Sequence, residues 1–376
     1  MLSSIANTCG ELEREVKSRP YNVVEAFVMM TFCLAVLWLV IYPYGQLMRI
    51  KAAELAGCIL LGLGAIYVLF RSPFIHKDTL SSWGLGNPAA LYASICRRSM
   101  VDRIILSCGV FLIITILAYL YYFAWQEATR FTFNLNRETA VRIQATGPGK
   151  VMILLSGFVM ATFFVTCVAR YDNFISALFT AFKIILVLGT LEYLAAFAVM
   201  GKAAFADFSP RHFALNLFGY MFWGALQQLL FSSYFGTRFR KGFAPATDPV
   251  RQWQKRLWVS ILNGSFFGMI HINSWGLVAI CWLLGTILSW VFMEDRNRNL
   301  VALGLVHGFL GSSTGWLFAA RKAGGFRIVM GVGPGHMKGF DLPTVIVVLA
   351  IILVHLLVIF YLLRRYPAIP HGTVRK

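Results

Sequence analysis

Apolar residues in this chain do not alternate with polar ones. They come in continuous runs of about twenty, separated by short polar segments. Such a run matches the roughly 20 residues a helix needs to cross the hydrocarbon core of a bilayer. Ten spans can be drawn: 22–45, 54–75, 103–125, 151–169, 174–200, 213–236, 257–274, 275–293, 300–320 and 342–363. Ser209-Pro210 stands before the sixth, and Asp341 with Pro343 opens the tenth, both helix-start signals. Only the corner His271-Ile-Asn-Ser-Trp275 divides the seventh from the eighth. The pattern predicts an all-α, polytopic helical membrane protein with about eight to ten transmembrane helices. A β-barrel is excluded, because its strands alternate over roughly ten residues.

Composition narrows the class further. The chain is 58% apolar and 13% charged with a mean hydropathy of +0.69, against about 45–50% and about 25% in a soluble domain. Soluble globular, disordered and fibrous classes are therefore excluded. The net charge of +18 does not point to nucleic acid, because the 34 Lys and Arg residues sit almost entirely between the apolar runs, where orientation signals belong. With the N-terminus inside, inner segments hold 21 of them and outer segments 12. The chain is thus predicted to be multi-pass in the plasma (inner) membrane with both termini cytoplasmic. Membrane lipids are its first expected partner. The densest inner segment, Thr237–Arg256, is expected to lie against anionic headgroups. The first 20 residues are polar, with an amphipathic stretch Glu11–Arg19, so no cleavable signal peptide is expected. Gly331-Val-Gly-Pro-Gly335 follows no strand and reads as a loop. The 7 cysteines form no C-x-x-C pair and five lie within apolar runs, which predicts buried free thiols.

Polar groups in hydrocarbon are costly, so function is sought where they recur. The sixth span carries Gln227-Gln228 near its middle and Ser232-Ser233 one turn on, with Gln228 and Ser232 four apart on one face. In the seventh, Asn263, Phe267 and His271 repeat at intervals of four. The ninth carries His307 and Gly311-Ser312-Ser313-Thr314. One polar pocket lined by Gln227 or Gln228, His271 and His307 is the expectation. The lone His355 of the tenth span reads as a packing residue. Lys183 and Glu192 are charges well inside the fifth span, nine residues apart and so on opposite faces. Glu192 is either a proton-handling group or the partner of a polar residue on a neighbouring helix.

The order of these elements resembles the CAAX protease and bacteriocin-processing family of intramembrane endopeptidases, over roughly residues 150–322. That family carries Glu-Glu-x-x-x-Arg, Phe-x-x-x-His and His-x-x-x-Asn on successive helices. Gln227-Gln228-Leu-Leu-Phe-Ser232 looks like the first motif with all three key residues altered. Phe267-Gly-Met-Ile-His271 keeps the second intact, and His307-Gly-Phe-Leu-Gly311 keeps the His of the third but not its Asn. The resemblance implies catalytic roles for Gln227, Gln228, His271 and His307, and substrate contact by Asn263, Phe267, Ser232 and Ser312. It divides the chain into N-terminal helices at 1–150, a protease-like core at 151–322, and an outer loop, last helix and basic tail at 323–376.

In the family a Glu activates water, the histidines assist and an Asn helps hold the oxyanion. A glutamine amide cannot accept a proton, so the expectation is a catalytically impaired member that binds hydrophobic or lipidated peptides or proteins, with no cofactor. Losing the Arg along with the Glu pair reads as a coupled change. Two alternatives stand beside it. One is an active protease using His271 and His307 with Glu192 as base; the other is a carrier or channel for a small polar solute. A zinc set of His271, His307 and a carboxylate is the competing chemistry, but no H-E-x-x-H is present.

Overall fold

The computed structural model describes residues 2–132, 137–206, 208–243, 249–318 and 339–366, with backbone only for 2–18, 127–132, 137 and 249. The side chains of Glu11 to Ser18, the centre of the basic loop at 244–248, the Gly331–Gly335 loop and the basic tail beyond 366 lie outside the described residues. Fourteen α-helices occur among them: α1 Leu2–Ala35, α2 Lys51–Ile66, α3 Ser72–Ile75, α4 Pro88–Cys96, α5 Met100–Thr132, α6 Arg137–Ala145, α7 Gly147–Phe163, α8 Phe174–Met200, α9 Pro210–Gln228, α10 Gly236–Phe243, α11 Pro249–Met269, α12 Trp275–Phe292, α13 Leu300–Leu317 and α14 Leu342–Arg365. Four π-helical segments continue α-helices, at Val36–Leu47, Tyr67–Arg71, Phe164–Val168 and Leu229–Phe235. There is no strand among the described residues. The protein is an all-α polytopic membrane protein.

Among the described residues, eight helices are long and apolar enough to cross a bilayer: Arg19–Leu47, Lys51–Ile75, Met100–Gln126, Gly147–Val168, Phe174–Phe205, Trp275–Phe292, Leu300–Leu317 and Leu342–Arg365. The sixth and seventh spans read from the sequence do form helices, α9 and α11, but fall short of that apolarity. They are the two helices that carry Gln227, Gln228 and Asn263, and α11 also holds Arg251, Lys255 and Arg256; these polar side chains lower their mean hydropathy. Helix starts follow the sequence signals. Ser209 accepts from the backbone N–H of His212 at the head of α9, and Asn299 accepts from Val301 and Ala302 at the head of α13. Asp341, before α14, instead accepts from Thr344 Oγ1 at 2.7 Å. The cysteines Cys33, Cys58, Cys96, Cys108, Cys167 and Cys281 are free, but only Cys281 among them is buried. Cys58 and Cys108 are exposed and Cys33, Cys96 and Cys167 half-buried, so an apolar neighbourhood in sequence did not mean burial inside protein.

The chain divides into two compact units. The first comprises Met1–Lys77, Tyr234–Trp290 and Val329–Lys376. Here α1 packs against α10 and α14 around an aromatic cluster. Phe266 meets Phe27, Phe235 and Phe239 edge-on at 5.1–5.2 Å between ring centroids. His355 of α14 sits edge-on to Phe27 at 5.1 Å, with its Nδ1 3.3 Å from Thr31 Oγ1. It packs as a satisfied core histidine.

The second unit comprises Asp78–Ser233 and Val291–Ile328. Its loops are tied by Arg170, whose guanidinium donates to Asp172 and Asp295 and to the carbonyls of Ser81 and Arg298. Burial opposes the charge of Arg170, yet the two carboxylates more than offset it and hold the guanidinium above its usual pKa. Asn299 completes the tie, donating to the Arg170 carbonyl and to Asn173 Oδ1.

The tightest packing in this unit joins α9 to α13. A Cβ at Gly308 would lie 2.7 Å from the backbone of Met221, and one at Gly304 would lie 2.9 Å from the Met221 carbonyl oxygen. Gly304 and Gly308 are four apart, a small-xxx-small stripe that lets two backbones meet directly. We expect Gly308→Ala to lower stability by about 1–3 kcal/mol, the range for inserting a methyl where backbone must yield. Gly315→Ala, on the same helix with nothing within 4 Å of its Cβ, should be neutral or stabilising. Thermal unfolding of the two variants in one detergent checks the contrast.

Candidate functional site

In the second unit the α9–α13 contact brings two of the family-motif positions together. Gln228 is fully buried, and Ser232 and His307 are buried beside it. The Gln228 amide nitrogen donates to His307 Nδ1 at 3.2 Å, while its carbonyl oxygen accepts from Ser232 Oγ at 2.5 Å. An amide nitrogen can only donate, so His307 Nδ1 is the acceptor and a neutral His307 carries its proton on Nε2. Ser232 lies in the π-helical turn Leu229–Phe235, directly after Gln228.

Small residues make room for this chain of hydrogen bonds. A Cβ at Gly224 would stand 2.9 Å from His307 Cβ, so any larger residue there would push the imidazole aside. At Gly311, where the family motif has Asn, a Cβ would lie 3.3 Å from the Tyr220 ring and 3.9 Å from His307 Cδ2. Tyr220 fills much of the space an Asn would need. Gln227 is also buried. Ser312, five residues after His307, is turned about 140° from it round the helix; its hydroxyl is buried with no hydrogen-bond partner.

Asn263, Phe267 and His271 belong to the first unit and are buried there. α11 ends at Met269, so His271 lies in the turn before α12, with its N–H donating to the Gly268 carbonyl. Its Nδ1 is 2.9 Å from the Phe267 carbonyl oxygen, an acceptor only, so Nδ1–H donates. Nε2 is then the acceptor of a neutral His271. The Phe267 ring stands edge-on to the imidazole at 5.2 Å. Gly285 admits the Phe267 side chain, since a Cβ there would come within 2.9 Å of it. Asn263 Oδ1 is buried without a hydrogen-bond partner.

With this geometry in place, the comparison with known families is informative. Residues 210–312 match the family described as type II CAAX prenyl endopeptidase Rce1-like. That stretch is similar to the Rce1-like family. It contains every motif position on which the resemblance was drawn. No curated protein and no solved structure matches the chain.

Glu192 does not join the Rce1-like motif residues. Its carboxyl is hydrogen-bonded by Thr314 Oγ1, seven residues and about 10 Å of helix rise along α13 from His307. It is the partner of a polar residue on a neighbouring helix. Lys183, on the same helix, is exposed.

Sequence reading missed one ionisable cluster altogether. In the first unit, Glu25 Oε1 accepts from Ser72 Oγ at 2.5 Å and from Tyr234 OH at 2.9 Å, and Oε2 lies 2.5 Å from His76 Nε2. Arg238 is fully buried nearby, donating to Asn22 Oδ1 at 2.7 Å with its guanidinium 5.9 Å from the Tyr234 ring centre. Two more cations of the basic loop are also engaged. Lys241 donates to the His76 carbonyl, and Arg256 donates to the Trp290 carbonyl while stacking on its ring at 4.0 Å. The reading of Thr237–Arg256 as uniformly headgroup-facing is therefore corrected: a guanidinium with a carboxylate and aromatic ring within reach is drawn into protein. The signal available beforehand was Glu25 itself, a carboxylate four residues into an apolar run.

Removing Glu25 breaks its ion pair with His76 and strips Ser72 and Tyr234 of their acceptor, and it takes away a charge that favours the buried Arg238. Glu25→Ala should cost about 3–5 kcal/mol, the penalty for breaking a buried pair. Glu25→Ala combined with Arg238→Met should cost less than Glu25→Ala alone, in a double-mutant cycle read by chemical denaturation in detergent.

Proposed function

We propose that this Rce1-like membrane protein binds a hydrophobic or lipid-linked peptide or protein without hydrolysing it by the family's carboxylate route. The observation that carries the reading is the Gln228 amide, with one end spent on His307 and the other on Ser232. Hydrolysis needs a group that takes a proton from water as it attacks, a contribution of typically 10²–10⁴-fold. An amide has no such basicity.

The substitution also acts on the histidine. A carboxylate at position 228 would accept a proton from His307 Nδ1, leaving Nε2 as a lone pair able to assist a water. The amide instead donates to Nδ1, so Nε2 carries hydrogen and offers a donor. His307 thereby becomes a group that binds an oxygen rather than one that activates it. The family motif also assigns a role to His271, whose Nε2 is an acceptor in the first unit. In the second unit Ser312 Oγ, buried without a hydrogen-bond partner, adds hydrogen-bonding capacity that a peptide group would satisfy. We place the protein in the plasma (inner) membrane with both termini in the cytoplasm, on the bias of basic residues toward inner segments.

Two measurements test the proposal. Purified protein should show no cleavage of prenylated or hydrophobic peptides, yet bind some of them, with His307→Ala weakening binding. Robust turnover by the wild type that vanishes in both His271→Ala and His307→Ala would replace this reading with a protease of altered mechanism. Restoring Gln227→Glu and Gln228→Glu should not suffice without Ser232→Arg, because an unpaired carboxylate in lipid takes up a proton instead of acting as a base. Nitrogen-15 NMR should find His307 protonated on Nε2 in the wild type and on Nδ1 in the variant that combines Gln228→Glu with Ser232→Arg, where the carboxylate stays ionised.

A further inference from the structure

A groove of about 440 Å³ runs along α8 in the second unit, a volume within the roughly 300–1,000 Å³ of small-molecule sites. Leu186, Gly189, Leu194 and Phe197 line it from α8, with Phe205 from the turn that follows and Phe309 from α13. Gly189 is buried and leaves room for the Phe309 ring, since a Cβ there would lie 3.2 Å from it. The lining is almost wholly apolar. Its polar members are Thr190 and Tyr193, and the Tyr193 hydroxyl is already 3.3 Å from Ser313 Oγ. All of the α8 lining falls within the span Phe174–Phe205. From Ile185 to Phe197 the helix rises about 18 Å, close to the roughly 15 Å that one leaflet contributes to a hydrocarbon core.

The Phe197 end of the groove differs from the rest. Phe205 stacks on Tyr193 at 6.1 Å between ring centroids and lies 6.2 Å from Trp316. Phe208 meets the same indole at 4.6 Å and Phe213 at 5.8 Å. Such rings gather where headgroup gives way to acyl chain. Two cations stand at this end. Lys202 is in the turn Gly201–Phe205 and Arg211 is in the first turn of α9, and both are exposed. Neither side chain makes an ion pair or a hydrogen bond among the described residues. Asp207, between them in sequence, lies outside the described residues.

We infer that the groove is a binding site for one anionic phospholipid, with an acyl chain along α8 and its phosphate at Lys202 and Arg211. The apolar lining accepts a chain already dissolved in the bilayer. The two cations, at the end where the span stops, complement a phosphate through charge-assisted hydrogen bonds. The lipid anchor of a peptide held by the Gln228–His307 pair is not the occupant. Phe309 is turned about 200° from His307 round α13, so a chain lying against Phe309 has that helix between it and the pair. The site is therefore independent of the proposed function and exists whether or not the protein is a protease.

The test uses full-length protein in neutral detergent, read as Tm and as lipid retained in native mass spectrometry. The probes are dioleoyl phosphatidylglycerol, dioleoyl phosphatidylcholine, dihexanoyl phosphatidylglycerol and a farnesylated peptide. Dioleoyl phosphatidylglycerol should stay bound and raise Tm. The phosphatidylcholine should do so far less, and the dihexanoyl lipid, with the same headgroup on short chains, should not. Leu186→Trp and Leu194→Trp fill the groove from exposed positions and should each lose the bound lipid. Leu191→Trp, exposed on α8 but off the groove, should keep it. Lys202→Gln and Arg211→Gln should each weaken binding about fivefold, and the pair roughly 30-fold. The inference is overturned if both groove-filling variants retain the lipid, or if Leu191→Trp loses it equally. It is also overturned if the phosphatidylcholine or the dihexanoyl lipid binds as tightly, or if the farnesylated peptide displaces the phosphatidylglycerol. A wild-type dimer that Leu186→Trp dissociates would assign the groove to a second copy and overturn it as well. The two Gln variants alter exposed side chains and keep the test readable should a tryptophan variant fail to fold.

Discussion

The direct approach of two helix backbones, α9 and α13, is the constraint on which the polar chemistry of the second unit rests. Between lipid-embedded helices there is little hydrophobic drive to associate, since lipid tails are as apolar as leucine. Close packing has to supply the attraction. Gly304 and Gly308 supply it by letting Met221 and Ala225 come into contact with the α13 backbone, and Gly224 returns the favour by leaving space for His307. Only at that separation does an amide on one helix reach an imidazole on the other. Gln228, Ser232 and His307 are thus consequences of glycine placement on α9 and α13, and none of them could hold its geometry on a helix pair spaced by leucines.

Most of the architecture was readable from apolar runs because a helix in lipid satisfies its own backbone and needs only length and apolarity. The start residue Ser209 worked as a cap for the same local reason. The runs at 213–236 and 257–274 were legible in the same way, and form α9 and α11 although neither is among the helices apolar enough to span a bilayer. What stayed hidden were tertiary matches between distant segments. Glu25 is separated in sequence by 47 residues from Ser72 and by 209 from Tyr234, so nothing local marks them as partners. Arg238 read as a headgroup contact because charge near the end of a span normally is one; only the fold shows that Asn22 and Tyr234 reach it first. The Gly304-xxx-Gly308 stripe was present in the sequence, but the histidine between its glycines drew the attention. Burial of the cysteines was misread because hydropathy does not distinguish a lipid-facing position from a core one.

The motif substitutions gain meaning from their partners. A Glu pair with an Arg four residues on is a charged set that must balance internally in a low-dielectric site. Replacing it by amides and a hydroxyl gives a neutral set in which Ser232, Gln228 and His307 are linked donor to acceptor in one direction. Such a chain is satisfied at every link that the geometry shows, and it asks nothing of a counter-ion. The charged set of the first unit, Glu25 with His76 and the buried Arg238, forms its balance away from the motif positions. Ionic stabilisation and the family-motif chemistry have been assigned to different residues.

The π-helical turn that begins immediately after Gln228 has a consequence for comparing this chain with others. A π turn houses one residue more than the α-helix it interrupts, so side chains beyond it are rotated by about 100° from the positions an unbroken helix would give them. Arg238, in the helix that follows, reaches Asn22 from the far side of that offset. An ungapped alignment that registers correctly on Gln227-Gln228 will therefore misplace every helical face after Phe235 in a relative lacking the turn. A single-residue gap between Leu229 and Phe235 is the alignment that keeps both the amide pair and the buried arginine in structural correspondence.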